Sequence, residues 1–321
     1  MYAFLLKPPL KDYIWGGTKL ISDFNKKTDK EIIAESWELS CHKDGQSIIM
    51  NGEFKGRTLA DVISEVGKEK ILGTACDRFN DFPILIKLID AKNDLSIQVH
   101  PDNNYALLHE GEYGKTEMWY IVDCEPDAFI YYGFKEQISK NEFKRRIQDN
   151  DLLPVLKKQP VKPGDVYFIE AGTLHAICSG ILIAEIQQNS NTTYRIYDYD
   201  RIGADGKKRE LHIDKAVDVT NTGPAAEAGQ GSKAVDGPDF CCELLSKCEY
   251  FTAVKYSVRT RFNNKADGKS FHSLLCLDGD AVIKYAGRQI ELKKGDSVFI
   301  PAALGKYEIC GRCELILTYI E

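Results

Sequence analysis

The sequence predicts a mainly β protein built from two related jelly-roll barrels with a few peripheral helices. Short β-branched and aromatic segments separated by turns recur through most of the 321 residues, a spacing typical of antiparallel barrels or jelly rolls. In addition, residues 162–182 (KPGDVYFIEAGTLHAICSGIL) return in similar form as residues 293–309 (KKGDSVFIPAALGKYEI). Such internal similarity is typical of a duplicated fold.

The two copies differ at one chemically important position. Alignment of the Gly-Asp turn that begins at Gly164 with the one that begins at Gly295 places His175 opposite Lys306. Each copy predicts a turn, then a short strand, then a bend of small residues. We therefore expect a working site in the first copy and a degenerate second copy that packs against the first.

A stretch rich in Gly, Ala and small polar residues separates the two copies. This composition is typical of a loop or linker. The predicted organisation is a catalytic domain over residues 1–222, which includes N-terminal strands and short helices, a linker over residues 223–238, and a degenerate C-terminal domain over residues 239–321.

Three helices are predicted from capping and turn signals. One covers residues 59–72 after the N-cap Thr58. A second covers residues 139–158 and begins with a capping box of Ser139 and Glu142. The third covers residues 214–219 and ends before a segment that cannot continue a helix.

Composition and charge exclude several classes of protein. The formal net charge of −6 and the pI near 5.7 argue against a nucleic-acid surface. No segment approaches the roughly 18 apolar residues of a membrane span, and the N-terminal apolar run is too short for a signal peptide. The ten cysteines are scattered through strand-like segments, which favours reduced core thiols. We expect a cytoplasmic protein with neither nucleic-acid nor membrane partners.

The residues with the clearest chemistry lie in the first copy and in the strands before it. In the segment IQVHPD, alternate side chains of a strand project to one face, so Gln98 and His100 point the same way. Lys115 and Glu117 share one face of the next strand, and an inward carboxylate needs a partner. His175 ends the strand of the first copy, where a barrel returns it across from the strand that carries Gln98 and His100.

These side chains offer an amide oxygen, two imidazoles and a carboxylate. This mixed N/O set suits zinc and, less well, manganese, iron or cobalt, with one position left open for solvent or substrate. A lone histidine is more often a hydrogen-bonded core or loop residue, and that interpretation is kept for His42, His109, His212 and His272. The sequence predicts one metal site, formed by Gln98, His100, Glu117 and His175.

The motifs SIQVHPDN, GKTEMWY and PGDVYFIEAGTLHAI, together with residues 185–195, resemble those of the class I mannose-6-phosphate isomerases of the cupin superfamily. The likeness covers most of the chain, and the length is similar to that of the short bacterial form. The resemblance implies two cupin barrels, one zinc ion on the four residues above, and interconversion of mannose 6-phosphate and fructose 6-phosphate through an enediol-type proton transfer.

The resemblance also implies roles for residues outside the ligand set. Arg195 matches an active-site arginine, Lys115 an active-site lysine, and Glu185 an acidic residue assigned to proton transfer. The matches for residues that hold the substrate phosphate are looser. They are Ser96, Lys87 and Arg201.

Two further functions stay open at this point. One is a non-catalytic cupin that binds a phosphosugar, and the other is a cupin isomerase or epimerase of another phosphosugar. The complete ligand set argues against a retired site, because a binding protein has no physical need for all four residues. Neither the oligomeric state, monomer or homodimer, nor the preferred phosphorylated hexose follows from the sequence.

Overall fold

Strands dominate the fold and helices are few and short, as predicted. The computed structural model describes residues 1–203, 206–226 and 232–321. No helix within these ranges combines the length and the apolar character that crossing a membrane requires. The middle of the predicted linker, residues 227–231, lies outside the described residues.

The secondary-structure elements are numbered in chain order. The strands before residue 200 are β1 (Phe4–Lys7), β2 (Leu10–Lys11), β3 (Glu35–Leu39), β4 (Cys41–His42), β5 (Gly45–Gln46), β6 (Ile48–Ile49), β7 (Ile84–Ala91), β8 (Ile97–Val99), β9 (Glu117–Cys124), β10 (Phe129–Phe134), β11 (Leu156–Pro160), β12 (Val166–Ile169), β13 (His175–Ile177), β14 (Ile181–Gln188) and β15 (Tyr194–Tyr197). The later strands are β16 (Val235–Asp236), β17 (Phe240–Lys247), β18 (Thr252–Val258), β19 (Arg261–Ala266), β20 (His272–Tyr285), β21 (Arg288–Lys293), β22 (Ser297–Ile300) and β23 (Gly305–Tyr319). The α-helices are α1 (Lys19–Ser22), α2 (Leu59–Val66), α3 (Lys68–Leu72), α4 (Asn103–His109), α5 (Lys140–Gln148) and α6 (Ile213–Val219).

Two antiparallel sheets of the N-terminal half face each other. One has the strand order β12-β9-β14-β7-β3-β2 and the other the order β11-β10-β13-β8-β15. Apolar side chains from both sheets, such as Trp119 and Ile183 from the first and Ile130 and Ile177 from the second, form one buried cluster between them. This is the two-sheet packing of a jelly roll, without a continuously closed ring of strands.

The outer faces of these two sheets are covered differently. The five-stranded sheet packs Ala176 and Tyr194 against Phe143 of α5 and Ala216 of α6. The six-stranded sheet contributes Met118 to the large cluster that it shares with the C-terminal strands. Apolar side chains therefore pack on both faces of the six-stranded sheet, which restricts the side chains that it presents to the space between the sheets.

The C-terminal sheet includes strands from the beginning of the chain. Its order is β16-β17-β18-β23-β20-β22-β1-β6, with β19 on β23 and β21 on β20. Phe4 of β1 pairs with Phe299 of β22, and their rings stack at 6.1 Å. The predicted division at residues 222 and 239 stays a prediction, with the addition that the N-terminal segment hydrogen-bonds to the C-terminal strands.

The repeated Gly-Asp turns have the same local structure. Gly164 and Gly295 adopt φ values of 92° and 87°, which favour glycine. In each turn the aspartate carboxylate accepts the backbone N–H three residues before it, at 2.9 Å in Asp165 and 2.8 Å in Asp296. These shared turns are the structural basis of the sequence repeat.

A different residue turns inward in the second copy. Lys306, aligned with His175, is exposed, whereas the next residue, Tyr307, is 3% exposed. Its hydroxyl lies 2.7 Å from Nδ1 of His272. His272 pairs with Ile300 as Glu117 pairs with Ile169, so a histidine–tyrosine contact occupies the place of the predicted metal site.

The helix predictions are confirmed in part. Thr58 and Ser139 cap α2 and α5 by accepting the N–H groups of the residues three positions later, and α6 matches its prediction. The prediction of a continuous helix over residues 59–72 is wrong, because Gly67 with φ of 103° separates α2 from α3. The helix predicted to residue 158 ends at Gln148, and its last part is strand β11, which pairs with β10.

The ten cysteines are all free thiols, as expected. Cys310 and Cys313 both lie within β23.

A buried ion pair connects the N-terminal segment to the repeated turn of the C-terminal half. Nζ of Lys26 lies 2.6 Å from Oε1 of the fully buried Glu38 and donates to the carbonyl of Gly295 at 2.5 Å. The substitution Lys26→Met leaves a buried carboxylate without its cation, which should lower the free energy of unfolding by about 3–5 kcal/mol. Urea denaturation measures this change.

The matched control is Lys30→Met. Lys30 pairs with Asp12 at the same 2.6 Å distance, but both side chains are exposed, so the expected change is below about 1 kcal/mol. Equal effects of the two substitutions would contradict the assigned role of burial.

Candidate metal centre

The four predicted ligands meet in the space between the two N-terminal sheets. His175 of β13 lies opposite Gln98 of β8 in the five-stranded sheet, and His100 directly follows β8. Glu117 begins β9 in the facing sheet, where it pairs with Ile169. The predicted return of His175 across from the strand of Gln98 and His100 is therefore observed, with Gln98 as its direct partner.

The distances within this group suit a shared cation. Oε1 of Glu117 lies 3.3 Å from Nε2 of His175, and Oε2 lies 3.6 Å from Nε2 of His100. Within the described residues, these three side chains form the one group of potential metal ligands found, with their ligand atoms within 4.8 Å of one another. The side-chain amide of Gln98 lies 3.4 Å from Nε2 of His175, and a 180° rotation of that amide presents its oxygen instead.

Backbone carbonyls orient both imidazoles. Nδ1 of His100 lies 3.0 Å from the carbonyl oxygen of Thr192, and Nδ1 of His175 lies 2.8 Å from that of Thr173. A carbonyl accepts only from the protonated nitrogen, so each ring carries its proton on Nδ1 and directs the lone pair of Nε2 toward Glu117. A hydrogen bond from the other ring nitrogen to a carbonyl is typical of metal-binding histidines.

Burial determines the charges of the centre. It lowers the pKa of His175 to about 4 and that of His100 well below its ordinary value, so both imidazoles are neutral at pH 7. Burial, together with the charge of Glu185, raises the pKa of Glu117 to about 7. The ionised form of Glu117 is therefore destabilised by desolvation, and a nearby cation would stabilise it.

The donor set fits a divalent metal ion. Both carboxylate oxygens of Glu117 are buried, and among the described residues neither accepts a hydrogen bond of good geometry. The ammonium group of Lys115 lies 3.1 Å from Oε2 of Glu117 and 3.1 Å from Nε2 of His100. Two ligand atoms thus already face a positive charge, and two imidazoles with one carboxylate are borderline donors typical of zinc and similar ions.

A polar cavity of about 250 Å³ opens beside the centre. This volume is near the lower end of the range typical of small-molecule sites. Gln98 contributes to its wall, together with four cationic side chains and two acidic ones. The cations are Lys87, Lys115, Arg195 and Arg209, and the acids are Glu35 and Glu185. The excess of positive charge favours an anionic ligand.

On the wall of the cavity, side chains of neighbouring strands lie directly opposite each other. Glu185 of β14 lies opposite Lys87 of β7 on one side and Trp119 of β9 on the other. Its carboxylate accepts the indole N–H of Trp119 at 2.8 Å and lies 3.1 Å from Nζ of Lys87. Burial raises the pKa of Glu185, but the positive charges of Lys87 and Lys115 outweigh it and lower the pKa to about 2. Glu185 is therefore ionised.

Arg195 reaches the cavity from β15, where it lies opposite Gln98. One guanidinium nitrogen donates to the carbonyl of Glu210 at 2.9 Å, while its buried Nε has no partner in the described structure. Burial and the neighbouring Arg209 lower the pKa of Arg195, but an arginine stays protonated. It presents fixed positive charge to a ligand.

The three residues predicted for phosphate binding are not equivalent. Ser96 and Lys87 line the cavity, whereas Arg201 does not. The guanidinium of Arg201 binds the carboxylate of Asp198 at 2.5 Å and the carbonyl of Asp94. Arg209, which the sequence analysis did not single out, lines the cavity instead.

Other cavity residues were also missed, namely Tyr13, Asn191 and Thr193. Tyr13 lies two residues before Trp15, in a segment that carries no metal-ligand signal. Asn191 and Thr193 lie in the short loop before Arg195, and the adjoining Thr-Thr-Tyr-Arg motif was the available clue.

The facing sheets, the repeated turns and the buried ligand group together define a cupin with a candidate metal centre. Comparisons with known sequences and structures agree. The family model of the phosphomannose isomerase type I catalytic domain matches residues 3–120, and that of the mannose-6-phosphate isomerase cupin domain matches residues 242–320. The chain is 38% identical over 315 residues to mannose-6-phosphate isomerase ManA of Bacillus subtilis, covering 98% of each chain.

A second relative, the mannose-6-phosphate isomerase of Streptococcus mutans, is 36% identical over 314 residues, covering 98% of this chain and 97% of that one. The crystal structure of the mannose 6-phosphate isomerase from Bacillus subtilis superposes with a TM-score of 0.93 over 100% of both chains at 38% identity. The chain therefore belongs to the type I mannose-6-phosphate isomerase family.

Burial of His175 predicts a pH dependence of the stability of the metal-free protein. Its folded pKa of about 4 lies below the ordinary value of 6.5, so between these two pH values the unfolded chain binds more protons. The free energy of unfolding should rise with pH across this interval and lose that contribution as the pH falls toward 4. The contribution of His175 to the slope is at most about 1.4 kcal/mol per pH unit.

Urea denaturation at a series of pH values, in His175→Gln and in the unchanged protein, measures this slope. The variant should show a shallower slope between pH 4 and 6.5. The control is His109→Gln, because His109 lies exposed at the end of α4, and its slope should not change. An unchanged slope in His175→Gln would show that this imidazole is not held neutral.

Proposed function

We propose that the protein is a zinc-dependent aldose-ketose isomerase that interconverts mannose 6-phosphate and fructose 6-phosphate through an enediol-type proton transfer. The observation that carries the proposal is the buried group of His100, Glu117 and His175, with the half-buried Gln98 next to it, beside a cavity with excess positive charge. The family membership supports it, since both relatives named above are mannose-6-phosphate isomerases.

Zinc is the metal proposed for the centre. Its ligands would be Gln98, His100, Glu117 and His175, a set of nitrogen and oxygen donors that leaves a position open for substrate or solvent. When bound, the ion supplies Lewis-acid stabilisation of negative charge on a substrate oxygen.

The cationic side chains of the cavity are proposed to hold the substrate. Lys87 and Ser96 lie on its wall and are the candidates for the phosphate, with Arg209 in the place expected for Arg201. Arg195, through its partly unpaired guanidinium, and Lys115 would stabilise the oxygen charge that develops as the proton moves between C1 and C2.

Glu185 is the carboxylate proposed to move that proton. It is ionised, as a base must be, but a pKa of about 2 makes it weak. A substrate anion beside Lys87 competes for the charge that stabilises this carboxylate, and so raises its pKa toward a useful range. Substrate binding and activation of the base are coupled in this proposal.

The proposed location is the cytoplasm. Ten free thiols suit a reducing compartment, and a phosphorylated hexose is the proposed partner.

A coupled assay for fructose 6-phosphate formed from mannose 6-phosphate tests the proposal. It is run on the protein as purified, after treatment with chelator, and after zinc is restored. Activity should disappear with chelator and return with zinc. His175→Ala should lose both zinc and activity because it removes a ligand, whereas the exposed His109→Ala should keep both.

The other outcomes identify the alternatives. Zinc binding without turnover would overturn the proposal and point to a phosphosugar-binding protein. Turnover of a different phosphosugar would identify another isomerase or epimerase. Full activity after complete removal of metal would refute zinc dependence.

Arg195 gives a separate prediction. Arg195→Ala should retain zinc, since this residue is not a ligand, but lower kcat by about 10²–10³ through loss of transition-state charge stabilisation. Metal analysis and steady-state kinetics measure the two effects.

Arg145→Ala is the control for Arg195→Ala, because Arg145 lies exposed on α5 and pairs with Asp149. Its kcat should equal that of the unchanged protein. A near-normal kcat in Arg195→Ala would remove Arg195 from the mechanism.

A further inference from the structure

One short loop connects the metal centre to the outside of the protein. Residues 189–193 join β14 to β15. Asn191 and Thr193 line the cavity, and the carbonyl of Thr192, between them, faces Nδ1 of His100 at 3.0 Å. The orientation of His100 therefore depends on the position of this loop.

Two carboxylates outside the cavity bind the loop. Oε2 of Glu112 accepts the backbone N–H of Asn191 and the hydroxyl of Thr192, both at 3.4 Å. Oδ2 of Asp44, in the turn between β4 and β5, accepts the side-chain amide of Asn191 at 2.8 Å. The loop thus lies between the metal ligand on one side and two carboxylates on the other.

Glu112 is itself fixed from outside. Its Oε1 lies 2.6 Å from Nζ of Lys43, and its Oε2 lies 3.6 Å from Nε2 of His42. Burial raises the pKa of Glu112, but Lys43, His42 and the N–H of Asn191 outweigh this effect, so its pKa lies below the ordinary value. The carboxylate is therefore a charged acceptor, which forms stronger hydrogen bonds than a neutral one.

In the part of the chain that the structure describes, Glu112 neither lines the cavity beside the metal centre nor contacts any of the four proposed ligands. We propose that Glu112 is a positioning residue for the metal centre: by binding Asn191 and Thr192, it keeps the Thr192 carbonyl on Nδ1 of His100. The inference rests on the proposed function only in taking His100 as a metal ligand. Outer hydrogen bonds to a ligating histidine typically change metal affinity or activity by 10–100-fold.

Glu112→Ala tests the proposal, because it removes both acceptor contacts while its partner Lys43 is 71% exposed and can be solvated. The first measurement is an NMR spectrum of the metal-free, full-length chain with ¹⁵N-labelled histidine. In the unchanged protein, the Nδ1 protons of His100 and His175 should both be slow to exchange, because both are hydrogen-bonded to carbonyls. In Glu112→Ala the His100 signal should broaden or disappear.

His175 provides an internal control, because its carbonyl partner Thr173 lies outside the loop. Its signal should stay unchanged in the variant, which also shows that the protein is folded. Glu142→Ala is the matched variant, since Glu142 forms a comparable pair with Arg146 on α5 at 2.9 Å, and it should change neither signal. Glu112→Gln retains an acceptor oxygen and should restore the His100 signal at least in part.

The second measurement is the zinc dissociation constant, obtained by competition with a chelator. Glu112→Ala should bind zinc about 10-fold more weakly, and Glu142→Ala should bind it normally. An unchanged His100 signal or unchanged zinc affinity in Glu112→Ala would overturn the proposal, as would an equal loss of both histidine signals. Neither measurement uses turnover, so failure of the isomerase assay would be distinguishable from failure of this inference.

Discussion

The structure of the site follows from the need to balance charge in the space between two sheets. Glu117 and Glu185 are buried there without access to bulk water, a placement that is costly unless cations accompany them. Lys87 and Lys115 provide two positive charges from the same region. The groups next to each carboxylate then determine its pKa.

The two carboxylates illustrate how strongly position matters. Glu185 has Lys87 at 3.1 Å and an indole donor at 2.8 Å, and its pKa falls. Glu117 has Lys115 at 3.1 Å, but burial and the charge of Glu185 outweigh this cation and raise the pKa of Glu117 to about 7. A bound metal ion would supply the further positive charge that Glu117 lacks, and the potential ligands lie around Glu117, whereas Glu185 faces the cavity.

The second copy has the same local fold without a buried carboxylate at this position. His272 takes the place of Glu117, and Tyr307 approaches it with a hydroxyl group. Burial lowers the pKa of His272 to about 4, so the pair is neutral and needs no external cation. His175 of the first copy aligns with Lys306 rather than with a histidine. The buried polar contact of the second copy comes instead from Tyr307, one residue later.

Local patterns were enough to predict the strands, the caps of α2 and α5, and the side chains that gather as potential metal ligands, since alternation along a strand fixes which side chains share a face. Gln98 and His100 are two residues apart, so their common direction is visible in the sequence. The pairing of Phe4 with Phe299 could not be predicted, because strand partners far apart in sequence carry no local signal. The end of α5 was mistaken because helix propensity competes with pairing to β10, which only the folded sheet provides.

Long-range contacts also explain why the interaction of Glu112 with the loop of residues 189–193 cannot be predicted from the sequence. Glu112 contacts His42 and Asn191, which lie 70 and 79 residues away in opposite directions along the chain. In sequence, Glu112 is one acid in a polar segment, with nothing to separate it from surface glutamates. Its importance follows from topology: the hairpin β4–β5 and the residues before β9 meet over the loop that carries the Thr192 carbonyl. A metal ligand can be recognised from the strand that bears it, whereas the residues that orient the ligand are recruited from whatever segments the fold brings to its outer side.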